Sequence, residues 1–257
     1  MTSNLASASI PRASAAIRRS FVESNVPGEA SPLKGLLSGL NGPGGGAGGR
    51  LRVALLITLL WVVAQRPHTT RRVASWWATV LELGDPAGTG ARAIRDTLHE
   101  LEHRGYISLT RVENDSNEIR LLREDGSRLD YAFPQPVEGD AYFRIPRLIW
   151  DEGWLAKLSG RALAIYLIVL SNAGWREDGD FWISAALFEE RYGLGETTRK
   201  RGFRELVDHG ILIVSAQSVT RREGTRTFRR NIYRVADEFR SPPAVSVEAD
   251  LPAKPRG

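Results

Sequence analysis

The chain has 257 residues, of which 42% are hydrophobic, so it can bury a sizeable core and disorder throughout is excluded. It contains no cysteine, which excludes disulfide bonds and thiolate metal sites. Its 35 Lys and Arg residues outnumber its 30 Asp and Glu residues, and the formal net charge of +5 favours an anionic partner.

The termini are the least structured parts of the sequence. Residues 1–49 are rich in Ser, Ala and Gly and end in NGPGGGAGG, so we predict a disordered tail there. These glycines precede Arg50 where a phosphate-binding loop would have Lys followed by Ser or Thr, and we expect no cofactor. Residues 241–257 are rich in Pro, Ala and Glu and are predicted to form a second disordered tail.

A first unit is predicted over residues 50–134. LRVALLITLLWVVAQ is apolar on nearly every face, which indicates a helix that is buried on all sides and ends at Arg66-Pro67. The remaining patterns predict a helix at 70–83, a helix from Thr89 as cap to Arg104, a stop at Gly105, and strands at 106–109 and 119–122.

A linker is predicted at 135–140, and a second unit follows over residues 141–240. YFRIPRLIW indicates a short strand and a turn of helix. The rest of the unit is predicted as a buried helix at 159–173, a strand at 181–183, a helix at 185–192 capped by Ser184, a helix at 196–209 ended by Gly210, and strands at 211–214 and 231–235 around an arginine-rich loop.

The two units align at an offset of 105 residues. Apolar positions of the third helix, its final glycine and the start of the next strand coincide, which indicates one unit built twice. The matched pairs are Gly90 with Gly195, Arg95 with Lys200, Leu98 with Phe203, Leu101 with Leu206, and Gly105 with Gly210.

FWISAALFEERYGLGETTRKRGFRELVDHGILI resembles the helix-turn-helix core of winged-helix regulators. YFRIPRLIW followed by LSGRALAIYLIVL is similar to the entry segment of winged-helix units in plasmid and phage replication initiators. Over residues 50–240 the resemblance implies two tandem winged helix-turn-helix domains, a mostly α fold with small β-hairpin wings (α+β). One position departs from the family: Arg199 stands where an apolar residue is usual, as Ile94 is in the first unit, so its stem should lie over the core unless the alignment is shifted.

The second unit is predicted to read double-stranded DNA, because a recognition helix presents base contacts and a wing holds phosphates. We expect the helix at 196–209 and the wing at 216–231 to supply Thr197, Lys200, Arg201, Arg204, Arg221, Arg222, Arg226, Arg229 and Arg230, with Arg92, Arg95 and Arg199 as further candidates. From Thr89 to Gly126 the first unit has six Arg and eight acidic residues, which disfavours phosphate binding. Whether this unit contacts DNA stays open, and its apolar first helix suggests a homodimer as another use.

We therefore expect a sequence-specific transcriptional regulator, or alternatively a replication initiator of a plasmid or phage-like element. A winged-helix scaffold for protein–protein interaction is a third class. The longest apolar run, 53–64, is shorter than the roughly 20 residues of a membrane span, and no secretory signal is evident, so a cytoplasmic, nucleoid-associated location without membrane contact is expected.

A metalloprotease is the remote alternative, because His99, Glu100 and His103 match the zinc motif H-E-x-x-H. The two histidines flank the predicted buried face at Leu98 and Leu101, and no further His follows at the spacing of a third ligand. We expect neither a metal nor catalysis here.

Overall fold

The computed structural model describes residues 12–24, 29–38, 46–112, 117–135, 137, 140–173, 179–220 and 227–240. Within these ranges helices are combined with three small antiparallel sheets, a mixed α and β architecture that agrees with the expected α+β class. No helix in that part of the chain combines the length and the hydropathy needed to cross a membrane.

The first unit contains three helices and a three-stranded sheet. Its elements are α2 (Gly46–Val62), β2 (Thr69–Thr70), α3 (Ala74–Val80), α4 (Thr89–His103), β3 (Ile107–Thr110) and β4 (Glu118–Leu121). The strands lie in the order β2-β4-β3, all antiparallel. Ile94, Leu98 and Leu101 form the buried side of α4, as the apolar spacing predicted.

The second unit repeats this order after one additional strand and two short helices. Its elements are β5 (Tyr142–Pro146), α5 (Leu148–Asp151), α6 (Trp154–Lys157), α7 (Gly160–Ala173), β6 (Asp180–Phe181), α8 (Ala185–Tyr192), α9 (Glu196–Asp208), β7 (Leu212–Thr220) and β8 (Thr227–Val235). The sheet order β6-β8-β7 matches β2-β4-β3, with the short strand beside the last strand in both. Helix, short strand, two helices and a hairpin therefore follow one another twice along the chain.

The junction from helix to hairpin is built alike in both units. Gly105 ends α4 with φ +81° and Gly210 ends α9 with φ +72°, a left-handed conformation that favours glycine. One residue later, Tyr106 N donates to Leu101 O at 3.0 Å and Ile211 N donates to Leu206 O at 2.9 Å. β3 and β7 then start at positions that are 105 residues apart, the offset of the sequence alignment.

Two helix starts show what the sequence pattern could and could not predict. Ser184 accepts a hydrogen bond from Leu187 N and caps α8, as predicted. Thr89 does not cap α4, because Asp85 accepts from the backbone N–H groups of Gly88 and Thr89 at 3.2 and 2.9 Å. The predicted helix at 70–83 is also too long, since Thr69–Thr70 pairs with β4 and only Ala74–Val80 is helical.

The prediction that residues 1–49 form a disordered tail is wrong for the N-terminal residues described. β1 (Ser14–Arg18) pairs antiparallel with β5, a 3₁₀ turn follows at Arg19–Phe21, and α1 covers Pro32–Leu37. Ile17 and Leu36 are fully buried. The segment is ordered because it pairs with β5 and packs against α2. The local sequence pattern does not reveal these tertiary contacts. The predicted tail at 241–257 lies outside the described residues.

Arg18 fastens this N-terminal strand to the first unit. Its side chain is 1% exposed; its Nη1 lies 2.9 Å from Glu124 Oε2, and its Nε lies 2.5 Å from Asp140 Oδ1. Burial raises the pKa of Glu124, while hydrogen bonds from Gln135 N and Arg18 lower the pKa of Asp140 against the effect of its own burial. Asp140, assigned to the linker at 135–140, is thus part of a buried ionic cluster.

The all-round burial predicted for α2 is achieved within the chain. The rings of Trp61 and Trp150 stack at 4.3 Å between centroids, and Trp150 Nε1 donates to Thr58 Oγ1 at 2.9 Å. β1, α4 and α7 also pack on this helix, so both units share one hydrophobic core. The apolar character that suggested a homodimer through α2 is therefore accounted for without a second copy.

Candidate nucleic-acid interface

Close packing against α7 sets the position of α9. Gly202, Phe203 and Leu206 face the core. A Cβ at Gly202 would lie 2.5 Å from Ile165 Cγ1 and 3.0 Å from Arg161 O, so only glycine allows the two helices to approach this closely. The Phe203 ring also stacks on Tyr233 of β8, with 4.2 Å between centroids. α9 is thereby held between the helical core and the hairpin.

A carboxylate of α9 caps the neighbouring helix. Glu205 Oε1 accepts from Ser159 N at 2.7 Å, and Glu205 Oε2 accepts from Ser159 Oγ at 2.6 Å. Ser159 immediately precedes α7, so these bonds satisfy backbone and side-chain donors at the start of that helix. They also fix the rotation of α9 about its own axis.

The side of α9 that faces away from the core carries the predicted helix contacts. All four of them, Thr197, Lys200, Arg201 and Arg204, are exposed. Lys200 Nζ forms an ion pair with Glu196 Oε1 at 2.7 Å, one helical turn earlier. The hydrogen bond from Lys200 lowers the pKa of Glu196, so this carboxylate stays ionised beside the lysine. Glu196 therefore offsets one of the cations on this face.

The hairpin places two of the five predicted wing arginines in the described part of the chain. Arg229 lies opposite Ser218 and is exposed, and Arg230 lies opposite Gln217. Arg230 Nε donates to Gln217 Oε1 at 2.8 Å, and the Arg230 guanidinium carbon is 4.7 Å from the centre of the Trp182 ring. The other three predicted wing contacts fall outside the described residues: Arg221, Arg222 and Arg226.

α9 and the hairpin enclose an open groove of about 720 Å³, which we call the reading groove. Its described lining contains five cationic side chains and one carboxylate, that of Asp208. The cations are Arg199, Lys200, Arg204, Arg229 and Arg230. Residues that the sequence assigned separately to a helix and to a wing therefore converge on one strongly positive surface.

Arg199 lies along the wall of this groove. It is half-buried, and its Nε is buried without a hydrogen-bond partner among the described residues. Arg199 also belongs to the lining of the groove, and a half-buried arginine of this kind can keep its charged end accessible while its stem is covered. Ile94, at the equivalent position of α4, is fully buried, so the two positions differ in burial as well as in residue type.

Trp182 and Gln217 were missed by the sequence reasoning. Trp182 is 43% exposed between buried Phe181 and Ile183, and with Gln217 it orients Arg230. The alternation of one exposed aromatic between two buried apolar residues was the available signal for Trp182. Gln217 carried none, because its role depends on the register between β7 and β8.

The corresponding face of the first unit is less positive. Arg92 and Arg95 are exposed on α4, as expected, but Asp96 is exposed beside them. Arg71 Nε is 3.2 Å from Glu118 Oε1 of β4, so a cation near this sheet is paired with a carboxylate of the same unit.

The H-E-x-x-H segment lies on α4 with its glutamate engaged. Glu100 Oε2 is 2.6 Å from Nη1 of Arg52, which ties α4 to α2. The side chain of His99 is 66% exposed and its Nδ1 is 3.7 Å from Glu102 Oε2. In the part of the chain that the structure describes, His, Asp and Glu side chains nowhere gather in the groups of three that a metal ion needs.

The arrangement on the second unit is a helix with an exposed polar side, a basic hairpin next to it, and a positive groove between them. Its chemistry suits an extended polyanion, because the cations follow a surface instead of meeting at one point. No protein-family model matches the chain, and no curated protein is significantly similar to it.

Proposed function

We propose that the chain is a duplex DNA-binding protein built from two tandem winged-helix units, with the second unit as the reader and transcriptional regulation as its role. The observation that carries this proposal is the reading groove, in which Lys200 and Arg204 of α9 face Arg229 and Arg230 of the hairpin. DNA is the natural ligand for such a surface, since its phosphates repeat along the duplex and reward several cations at fixed spacing.

The shape of the second unit supports the same proposal. A major groove about 12 Å wide accepts one α-helix, and the N-terminal half of that helix then reaches the base edges. The exposed side chains of α9 start at Glu196 and Thr197, at the N-terminal end. The hairpin extends beside the helix, where it would follow the phosphate backbone.

The two groups of side chains have different proposed roles. Thr197, Lys200, Arg201 and Arg204 contact bases, because Lys and Arg can bond guanine edges and a Thr hydroxyl can bond either kind of base pair. Arg229 and Arg230 contact phosphates. Gln217 and the Trp182 ring hold the Arg230 side chain in place before DNA binds, which lowers the entropic cost of the contact.

The first unit supports the reader in this proposal. Its core is continuous with that of the second unit through Trp61 and Trp150, so the two units pack against each other where these residues meet. Arg92 and Arg95 are the residues through which it would add a contact to DNA.

Binding to a selected site and to random duplex tests the division of roles. Lys200→Ala and Arg204→Ala should each reduce the preference for the selected site by about 1–3 kcal/mol. Arg229→Ala and Arg230→Ala should weaken both duplexes alike and reduce the salt slope by about 0.9 per lost phosphate contact. Equal losses on both duplexes for both pairs of variants would contradict this assignment.

Sequencing of the genomic fragments that the protein retains would then separate the biological roles. Fragments from promoters support the regulator, whereas repeated fragments from one origin support the replication initiator. If the wild-type protein shows no measurable duplex binding at about 0.1 M salt, the protein-interaction scaffold is the remaining function. A surface that neutralises several phosphates should bind duplex at that salt concentration.

A further inference from the structure

A second basic cavity lies on the side of α9 that faces away from the reading groove. This cavity of about 750 Å³, which we call the junction pocket, is formed where α1, α2, α6, α7 and the turn before α9 meet. Its polar lining includes Lys34, Arg50, Lys157, Arg161, Thr198 and Glu205. None of these residues belongs to the predicted DNA contacts.

The charge of the junction pocket is positive. Its four cations come from four different helices, and Glu205 is the one carboxylate in its described lining. Both oxygens of Glu205 are occupied, by Ser159 N and by Ser159 Oγ, while Arg161 Nε is 3.6 Å from Glu205 Oε2. The carboxylate therefore offsets only one of the four positive charges.

Three of the cations keep donors that an anion can use. Arg50 Nη1 donates to Ala156 O at 2.5 Å and Lys157 Nζ donates to Glu152 O at 2.6 Å, so each is positioned by one bond to a carbonyl. An Arg and a Lys have further N–H groups beyond these bonds. Lys34 reaches from α1 to the turn before α9, where a Cβ at Gly193 would lie 2.8 Å from its Nζ.

The pocket and the reading groove lie on opposite sides of α9. Thr198 and Glu205, two turns apart, face the junction pocket, whereas Lys200, Arg204 and Val207 face the reading groove. Exposed Thr197 and Arg201 lie on the arc between these two faces. The exposed edge of the helix is thus bordered by a basic surface on each side.

We infer that the junction pocket binds backbone phosphates of the DNA strand that runs along α9 on the side away from the hairpin. The inference rests on the proposed function, since a helix in the major groove lies between two phosphate backbones. The hairpin serves one backbone and the junction pocket serves the other. Lys34 and Arg50 make the N-terminal segment and α2 part of the DNA-binding surface.

The salt dependence of duplex binding tests this inference in the full-length protein. We expect the triple variant Lys34→Gln, Arg50→Gln and Lys157→Gln, which removes the three cations with available donors, to bind selected and random duplex more weakly. The slope of log K against log salt should fall by about 0.9 for each phosphate contact that is lost. Arg120→Gln, an exposed change on β4 of the first unit, is the matched control and should leave the slope unchanged.

Phosphate ethylation interference locates the contact. The triple variant should lose interference on one strand only, while Arg229→Ala with Arg230→Ala should lose it on the opposite strand. If the triple variant binds duplex as tightly as the wild type and with the same salt slope, the inference is overturned and the proposed function stays intact. Loss of pyrophosphate binding in the triple variant, with unchanged DNA binding, would also overturn it and assign the pocket to a small phosphate compound. Absence of duplex binding by the wild type would defeat the proposed function itself.

Discussion

The two units share an order of elements but differ in the side chains exposed on the equivalent helices α4 and α9. On α4, Arg92 and Arg95 share the exposed surface with Asp96. On α9, exposed Lys200, Arg201 and Arg204 continue into a groove whose hairpin adds more cations. The difference teaches that apolar spacing and the final glycine specify the framework, whereas the side chains on its surface decide what each copy can bind.

Buried and paired charges show the same contrast. In the first unit, Glu124 holds Arg18, Glu100 holds Arg52, and Glu118 holds Arg71, so carboxylates there join parts of the protein. In the reading groove, Asp208 is the one described carboxylate among five cations. We therefore interpret these three pairs of the first unit as structural, and the excess of cations in the reading groove as available for binding.

The largest effect should come from breaking the buried ionic cluster. Arg18→Ala leaves Glu124, whose side chain is fully buried, without its cation, and we expect a loss of about 3–5 kcal/mol in the free energy of unfolding. Denaturant titration followed by tryptophan fluorescence measures it. The exposed control Arg120→Ala should change stability by less than about 0.5 kcal/mol. A cost for Arg18→Ala no larger than for this control would show that the cluster is not structural.

A smaller effect is expected where α9 meets α7. Gly202→Ala places a methyl group 2.5 Å from Ile165 Cγ1, so the helices must separate, at a cost of about 1–3 kcal/mol in unfolding free energy. The separation also moves the side chains that we propose contact DNA, and duplex affinity should fall. Gly35→Ala in α1 is the matched control; its Cβ meets no atom within 4 Å, and stability should rise by about 0.4–1 kcal/mol. The same loss in both variants would argue against a packing origin.

The smallest effect concerns an arginine–tryptophan pair present in each unit. Arg230 lies 4.7 Å from the ring centre of Trp182, and Arg72 lies 4.0 Å from that of Trp76. Trp182→Ala should weaken binding to every duplex by about 0.5–1 kcal/mol, because Arg230 loses its platform. Fluorescence anisotropy with labelled duplex measures this. If the Trp76→Ala variant folds normally and loses as much duplex affinity as Trp182→Ala, the first unit contributes to DNA binding as strongly as the second.

Local signals in the sequence were enough for much of the framework. α8 was predicted with its observed limits, because Ser184 precedes its start and Gly193 follows its end. In the structure Ser184 caps the helix and Gly193 adopts the left-handed conformation. The start of α9 and the stop at Gly210 were also predicted. These features depend on neighbouring residues and on apolar spacing, which a single sequence contains.

Contacts between distant residues were not predictable in the same way. The order of β1 depends on pairing with β5 and on the partners of Arg18, all of which lie more than 100 residues along the chain. At the candidate site, the exposure of Lys200 and Arg204 followed from helical spacing, but the junction pocket did not. That pocket joins Lys34, Arg50 and Lys157 from separate helices, whose approach is set by the shared core.

Comparison of equivalent positions in the two units tests the central claim most directly. The offset of 105 places Arg95 and His99 of α4 opposite Lys200 and Arg204 of α9. The measurement is the affinity of the double variants Lys200→Ala/Arg204→Ala and Arg95→Ala/His99→Ala for selected and random duplex at one salt concentration. We predict that the α9 variant loses most of its preference for the selected site and that the α4 variant keeps it. Retained preference in the α9 variant, or an equal loss in both, would contradict the assignment of DNA reading to the second unit.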